Sequence, residues 1–343
     1  MAYIGIDVAD RTSSVCAVDG AGQVLGRNEV STDEQALCEE LARWPEGSRV
    51  IVEATPLAEW LARVVESCGH KVVIIDARAA RHLVRSKKKT DARDAYTLAR
   101  LGASGWYVEV HRKSSSARLR RSELQGRQGL VRAAKALQSQ IRGLLRAHGI
   151  RVGAVSEGRF AERVRELVAE HEPGLAATLE GLLSAWWEAA TQAKRLQREM
   201  QRRESGESRE LLERLQSVPG VGPLISRAYV ATIDDPHRFA RAEAVSDYVG
   251  LSPSVYQSGE TEYRGRITKE GDELLRWHLV EAAHQLLVFG PDCALKRWGE
   301  RLRQSKGKAK AQVAVARKLA VLLWRLWLSG ERFDPWRGAP ARA

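Results

Sequence analysis

At 343 residues the chain has room for two or three domains, and 44% hydrophobic residues are enough for real cores. The 55 Lys+Arg against 43 Asp+Glu leave a formal charge of +12, which attracts polyanions and says nothing about fold. The scatter of Cys16, Cys38, Cys68 and Cys293 speaks against a zinc cluster and against a disulfide scaffold, so a reducing cytoplasm is the expected compartment. Met1–Val8 is short and carries Asp7, so no signal peptide is expected. The longest apolar run, Val313–Leu328, is broken by Arg317, Lys318 and Arg325, which predicts a packed helix and no membrane partner.

Ala2–Val8 reads as a short buried strand reaching Asp7. Ser13–Val18 and Gln23–Val30 read as two more strands, joined by the turn Asp19-Gly20-Ala21-Gly22. A helix is predicted from Thr32 to Trp44, with Thr32 and Gln35 spaced as a capping box. Arg49–Glu53 is a strand stopping on a carboxylate, Leu57–Cys68 a helix started by Pro56, Lys71–Asp76 a strand and Ala77–Arg85 a short helix. This βββαβαβα order, a hairpin followed by alternation, is that of an α/β ribonuclease H-like domain. In that architecture the strands carrying Asp7 and Glu53 run parallel and adjacent, and ligands collect at the carboxyl ends of strands.

Lys87-Lys88-Lys89-Thr90-Asp91-Ala92-Arg93-Asp94-Ala95 then opens another helix, with Thr90 as the expected N-cap. Asp91 and Asp94 lie three apart in its first turn and lean from one face. Acidic residues also favour a helix N-terminus for the dipole alone. What shifts the reading is that Asp7, Glu53, Asp91 and Asp94 are expected at one sheet edge. Four carboxylates there repel unless a cation lies between them, and oxygen ligands suit Mg²⁺. Sugar kinases and actin-like ATPases also open on a strand reading Gly-Ile-Asp, but they need glycine-rich phosphate loops downstream, and no convincing one is found.

Gly5-Ile6-Asp7-Val8, Val52-Glu53-Ala54-Thr55 and Lys89-Thr90-Asp91-Ala92-Arg93-Asp94-Ala95 together resemble the DEDD transposases. These are insertion-sequence recombinases that work with a structured bridge RNA. The resemblance implies a resolvase-like (RuvC-like) Mg²⁺ site, with Asp7, Glu53, Asp91 and Asp94 as its ligands.

From Ser116 to His148 the pattern is long, basic and helical, with Leu130, Ala134, Leu137, Ile141 and Leu144 as a seam for another helix. Leu179, Leu182, Trp186, Ala190, Ala193, Leu196 and Met200 form a second seam, and Gly149–Gly158 is a boundary loop. The opposite face carries Arg120, Arg121, Arg127, Arg132, Lys135, Arg142 and Arg146, with few acidic residues nearby. Together with Lys87, Lys88 and Lys89, these residues (Arg146 apart) are the candidates for nucleic-acid binding. The resemblance implies that the middle segment is a coiled-coil arm joining protomers in a homo-oligomer, a dimer or tetramer.

Gln201–Glu210 is a polar, glycine-broken joint. Leu215-Gln216-Ser217-Val218-Pro219-Gly220-Val221-Gly222-Pro223-Leu224, followed by a helix over Ile225–Ile233, resembles a helix–hairpin–helix. In it Gly220 and Gly222 would let backbone approach a phosphate. A tight helical corner that merely packs is the competing reading. In Tyr248–Lys269, read as a loop, Ser258 precedes a glycine and Arg264, Arg266 and Lys269 follow. A serine ringed by cations suits phosphoryl transfer, although Ser-Gly is more often a turn. The resemblance implies a catalytic serine here, with Ser258 matching its Ser-Gly and Ser252 and Ser254 as alternatives. The family more often has a basic residue where Glu270 stands. Leu295–Arg303 and Gln312–Ser329 read as closing helices and Glu331–Ala343 as a loose tail.

The expected organisation is a ribonuclease H-like domain over 1–150, a helical coiled-coil arm over 151–208, a mainly helical transposase domain over 209–330 and a tail over 331–343. The expected function is a DNA recombinase of an insertion sequence acting on double-stranded donor and target DNA, with a structured guide RNA, Mg²⁺ and a covalent serine link. The alternative is an Mg²⁺-dependent Holliday-junction-type endonuclease without a covalent step.

Overall fold

The computed structural model describes residues 1–76, 90–258 and 261–337. They divide into two compact units, Met1–Lys113 and Ser114–Ala343. The first is a mixed α/β unit with a five-stranded sheet and the second is mostly helical. No helix among the described residues is long and apolar enough to cross a membrane.

In the first unit β1 (Tyr3–Val8), β2 (Thr12–Val18), β3 (Val24–Ser31), β4 (Arg49–Glu53) and β5 (Lys71–Ile75) form a sheet of order β3-β2-β1-β4-β5. The hairpin strands pair antiparallel, whereas β1–β4 and β4–β5 are parallel. This is the arrangement expected of the βββαβαβα order, and it is consistent with a ribonuclease H-like DEDD transposase. The predicted turn is present, with Asp19 Oδ1 accepting from the amides of Ala21 and Gln23 at 2.9 and 2.8 Å.

Strand alternation sorts the side chains to two faces. Ile4, Ile6, Val50 and Val52 pack on one face with Leu37 and Leu41 of α1 (Glu34–Leu41) and Leu61, Ala62 and Val65 of α2 (Ala58–Ser67). Ile51, Val73 and Ile75 face the other way, against Leu98 and Leu101 of α3 (Asp91–Ser104). The predicted Ala77–Arg85 helix lies outside the described residues.

Two sequence expectations fail here. The α1 cap is Asp33, which accepts from the Ala36 amide at 2.8 Å, while Thr32 bonds across to Ser13 at 2.8 Å. The helix starts one residue later than the box requires, with Asp33 at the N-cap, so the Thr32–Gln35 box does not form. Secondly, Cys38 on α1 and Cys68 after α2 form a disulfide, with Cα atoms 5.8 Å apart. Thirty residues separate them in sequence, and only the side-by-side packing of the two helices brings them together.

The second unit opens with α4 (Ser115–Ala147) packed antiparallel on α6 (Ala176–Arg203). Arg127 meets Gln197 near one end, while Ala134, Ile141 and Leu145 share a core with Leu179, Leu183 and Trp186. The expected seams are largely present, with Ala134, Ile141, Leu179, Trp186, Ala193 and Met200 buried, while Leu145 and Leu183 are buried more deeply than their neighbours Leu144 and Leu182. An additional helix, α5 (Phe160–His171), closes that end, where the Phe160 ring meets Trp186 edge-on at 4.9 Å.

Beyond a break at Glu204 come α7 (Gly206–Gln216), α8 (Pro223–Ile233), α9 (Ala242–Tyr248), the hairpin β6 (Pro253–Ser258) and β7 (Thr261–Ile267), α10 (Glu273–Phe289), α11 (Ala294–Lys306) and α12 (Lys308–Ser329). Helix α8 is buried from Ile225 to Ile233, and its Tyr229 hydroxyl donates to the Ala320 carbonyl at 2.7 Å. The apolar run of the sequence is accordingly α12, whose Val315, Leu319, Leu323 and Leu326 line this core. The tail is tied back over its first residues: Phe333 N donates to Ser217 Oγ at 2.9 Å and the Pro335 carbonyl accepts from Ala294 N at 2.9 Å.

Candidate active site

In the first unit the parallel register of β1 and β4 pairs Ile6 with Val52, so the next residue of each strand is Asp7 and Glu53. Both share strand parity with residues on the α3 face: Asp7 with Tyr3 and Gly5, Glu53 with Ile51. They therefore leave neighbouring strand ends on the same face of the sheet.

Helix α3 lies directly on that face. A Cβ added at Gly5 would stand 2.0 Å from the Ala95 carbonyl oxygen and 2.5 Å from Ala99 N. One at Gly102 would stand 2.1 Å from Ile51 Cδ1 and 3.6 Å from Tyr3. As the chain advances from Ala95 to Gly102 it thus moves from Gly5 back toward Tyr3. The preceding turn, with Asp91 and Asp94, consequently extends toward the Asp7 end. Thr90 occupies the N-cap position with extended backbone, but its side chain makes no capping bond.

Asp91 is exposed, whereas Asp7, Glu53 and Asp94 are partly buried. The donor set is oxygen only, which fits a hard divalent cation. Among the described residues, however, no group of three or more His, Cys, Asp or Glu side chains is arranged to hold a metal ion. The fit therefore rests on donor chemistry and on the shared face and end of the sheet.

In the second unit Ser258 ends β6 and pairs with Thr261 of β7, so it sits on a strand end where a loop was expected. Alternation and cross-strand pairing were hidden there by a serine- and glycine-rich composition that reads as turn. The Ser258 and Arg264 side chains lie outside what is described. Arg266 and Lys269 are exposed, Ser254 Oγ donates to the Arg266 carbonyl at 3.1 Å, and Ser252 is buried. Gly220 has φ +88, and a Cβ there would stand 2.4 Å from the Ala282 carbonyl oxygen of α10. Its lack of a side chain serves helix packing, which was the competing reading. Gly222 caps α8 ahead of Pro223 with open space around it.

The basic face of α4 is more self-satisfied than its sequence suggests. Arg120 pairs with Glu204 at 3.2 Å and with Ser208 at 2.7 Å, and Arg121 pairs with Asp272. Arg127 donates to Gln197 at 2.9 Å, and Arg142 donates to the Gly153 carbonyl at 2.9 Å while lying over the Phe160 ring. The carboxylates come from residues 84 and 151 positions away, so local sequence could not reveal them. Arg132 and Lys135 remain exposed, with no ion pair among the described residues. Lys87, Lys88 and Lys89 lie outside the described residues.

Sequence reasoning missed Arg227, which joins the Arg120–Glu204 pair at 3.1 Å and donates to the Met200 carbonyl. Burial works against the charge on Glu204, yet hydrogen bonds from Arg120 and Ser208 and the charges of Arg120 and Arg227 hold its carboxyl below the usual value. A lone arginine inside the apolar run of α8 was the available signal. Gly5 was also missed as a packing residue, although Ala95, Ala99 and Gly102 spell the small helix face that needs it.

Two transposase family models match this chain, one in each half. Residues 4–150 match the DEDD transposase model of IS110, and residues 212–297 match the model described as "Transposase IS116/IS110/IS902 family". The chain is 27% identical to the transposase for insertion sequence element IS1111A of Coxiella burnetii, over 96% of this chain and 90% of that protein. It is 29% identical to a probable family 20 transposase of Pseudomonas aeruginosa, over 95% and 96% of the two chains. Identity to the transposase for insertion sequence element IS1328 of Yersinia enterocolitica is 25%, over 96% and 98%. With a mixed α/β unit followed by a helical unit, and with the two transposase models matched in that order along the chain, the protein carries the domains of IS110/IS116/IS902 family transposases and is an enzyme of DNA cleavage and rejoining.

Proposed function

We propose that this transposase is a DNA recombinase guided by a structured RNA, which cuts and rejoins DNA through a covalent link to Ser258. The observation that carries the reading is the placement of Asp7 and Glu53 at adjacent ends of β1 and β4, under the helix that starts with Asp91 and Asp94. Those four residues would hold Mg²⁺, which supplies charge against phosphate oxygens and a lowered pKa for a bound hydroxyl. The Ser258 oxygen bonds to a DNA phosphorus while the deoxyribose oxygen leaves and takes up a proton. Attack by a deoxyribose hydroxyl from another strand then reforms DNA and returns a proton to the serine. Arg264, Arg266 and Lys269 stabilise the charge that builds on the phosphate.

The guide would carry sequence choice by base pairing, with the protein reading backbone and shape. Arg132 and Lys135 on α4, together with Lys87, Lys88 and Lys89, are the cations assigned to that backbone, and the α4–α6 pair is the arm joining protomers. The test is a denaturing gel of protein mixed with suicide DNA. Wild type retains a denaturant-resistant adduct and Ser258→Ala loses it while still binding DNA. An adduct surviving in Ser258→Ala moves the nucleophile to Ser254 or Ser252, and cleavage with no adduct in any variant means hydrolysis. Recombination undiminished after complete removal of RNA would refute guidance.

A further inference from the structure

The corner where α11 turns into α12 has no part in the sites described above. Residues 301–330 contain eight basic residues and no acidic one. Three of the cations on these helices have partners in the fold. Lys296 donates to the Gly290 carbonyl at 2.6 Å, Arg297 pairs with Asp292, and Lys318 lies 4.1 Å over the Trp298 ring. The five at the corner do not. Arg301, Arg303, Lys306, Lys308 and Lys310 are all exposed, and among the described residues none makes an ion pair or a side-chain hydrogen bond. Small residues alternate with them at the apex, Ser305, Gly307 and Ala309, so nothing bulky screens their charge.

This clustering costs the fold something. Lys308 and Lys310 occupy the first turn of α12, which has no acidic residue, and the helix dipole disfavours cations there. Five like charges in ten residues repel one another as well. Internal stability therefore does not account for the pattern, whereas a polyanion outside the fold does.

We propose that this corner is a backbone-contact surface for double-stranded DNA, binding phosphates without reading bases. Charge of a single sign with no exposed large hydrophobic side chain among residues 301–310 suits phosphates and not a protein hot spot. It also lacks the aromatic platforms on which unpaired bases stack, which favours a duplex over single-stranded RNA. Duplex DNA is the substrate class of transposases, whose domains the chain carries. The inference rests on that reading and is independent of the guide RNA and of Ser258.

The experiment is equilibrium binding of the full chain to a short duplex DNA of arbitrary sequence, across a series of salt concentrations. The combined variant Arg303→Gln, Lys306→Gln, Lys308→Gln should weaken binding by about tenfold to a hundredfold near physiological salt. Its slope of log affinity against log salt should fall by roughly 2 to 3, since each lost phosphate contact removes about 0.9. An unchanged slope and affinity would overturn the proposal, as would a loss confined to duplex RNA of the same length. Lysine acylation of the wild-type chain serves as a second readout that needs no variant. Lys306, Lys308 and Lys310 should be protected when DNA is bound, and equal labelling with and without DNA would again overturn it.

Discussion

Gly5 and Ala95 stand so close that a methyl group on the glycine would lie 2.0 Å from the Ala95 carbonyl oxygen. The backbone of α3 rests directly on β1, and this contact sets where the helix begins relative to the strand end that carries Asp7. Helix height, and hence the place of Asp91 and Asp94, depends on one missing side chain.

Gly5→Ala is therefore expected to destabilise the first unit, because the blocking atoms are backbone and cannot swing aside. Overpacking of this kind costs about 1–3 kcal/mol, and more where nothing can yield. A thermal melt should show the loss, and activity should fall although no acidic residue has changed. A variant that melts with wild type would mean that α3 rides higher than described.

Asp91→Asn separates chemistry from folding. Asp91 is exposed, and exposed carboxylates contribute little to stability. The melting temperature should stay within a degree or two of wild type by the usual scaling, while recombination falls by about a hundredfold or more. Isothermal titration with Mg²⁺ should show weakened binding in the same variant. Full recombination at ordinary Mg²⁺ would remove Asp91 from the site.

Glu204 lies between Arg120 and Arg227 at the break after α6, where all three side chains are largely buried. Glu204→Gln leaves two cations facing each other without their anion, a loss of about 3–5 kcal/mol by comparison with other buried pairs. Its carboxyl titrates below the ordinary value of 4.5 in the folded chain, so its contribution is complete above that value and is lost as pH falls through the folded pKa. Urea unfolding at neutral and acid pH should find the variant weaker at neutrality and less sensitive to acid. Equal acid sensitivity in both chains would contradict the assignment.

His278 makes the opposite kind of group, one buried in its neutral form. Burial first, and then the charge of Arg127, push its pKa down from 6.5 to about 4. The unfolded chain binds a proton as pH drops below 6.5 and the folded chain does not until about 4, so stability should decline across that window and level off beneath it. The span corresponds to about 3 kcal/mol at most. His278→Gln should flatten this part of the stability profile, and an unaltered profile would assign the acid sensitivity to other groups.

Most of the strand and helix order was legible from residue patterns, for a local reason. The period-two run of Ala2–Val8, the strand Arg49–Glu53 stopping on its carboxylate and the three-residue spacing of Asp91 and Asp94 are all short-range features. Turn chemistry at Asp19–Gly22 belongs with them. The Ser258 hairpin was not legible, because pairing between β6 and β7 is a cross-strand property and its residues have the composition of a loop. The partners of Arg120 and Arg121 were equally hidden, since their carboxylates arrive from α10 and from the end of α6.

By itself, then, the sequence determined which residues could carry chemistry and that Asp7 and Glu53 would end neighbouring parallel strands. It also determined an excess of positive charge and its concentration in α4 and in residues 301–310. Only the tertiary structure decided which of those charges stay available. Burial against α6, α7 and α10 neutralised Arg120 and Arg121 with distant carboxylates, while the corner at Gly307 is exposed and its cations make no ion pair among the described residues. The difference is one of long-range geometry: charge is written locally, but the carboxylate that cancels it is delivered by packing.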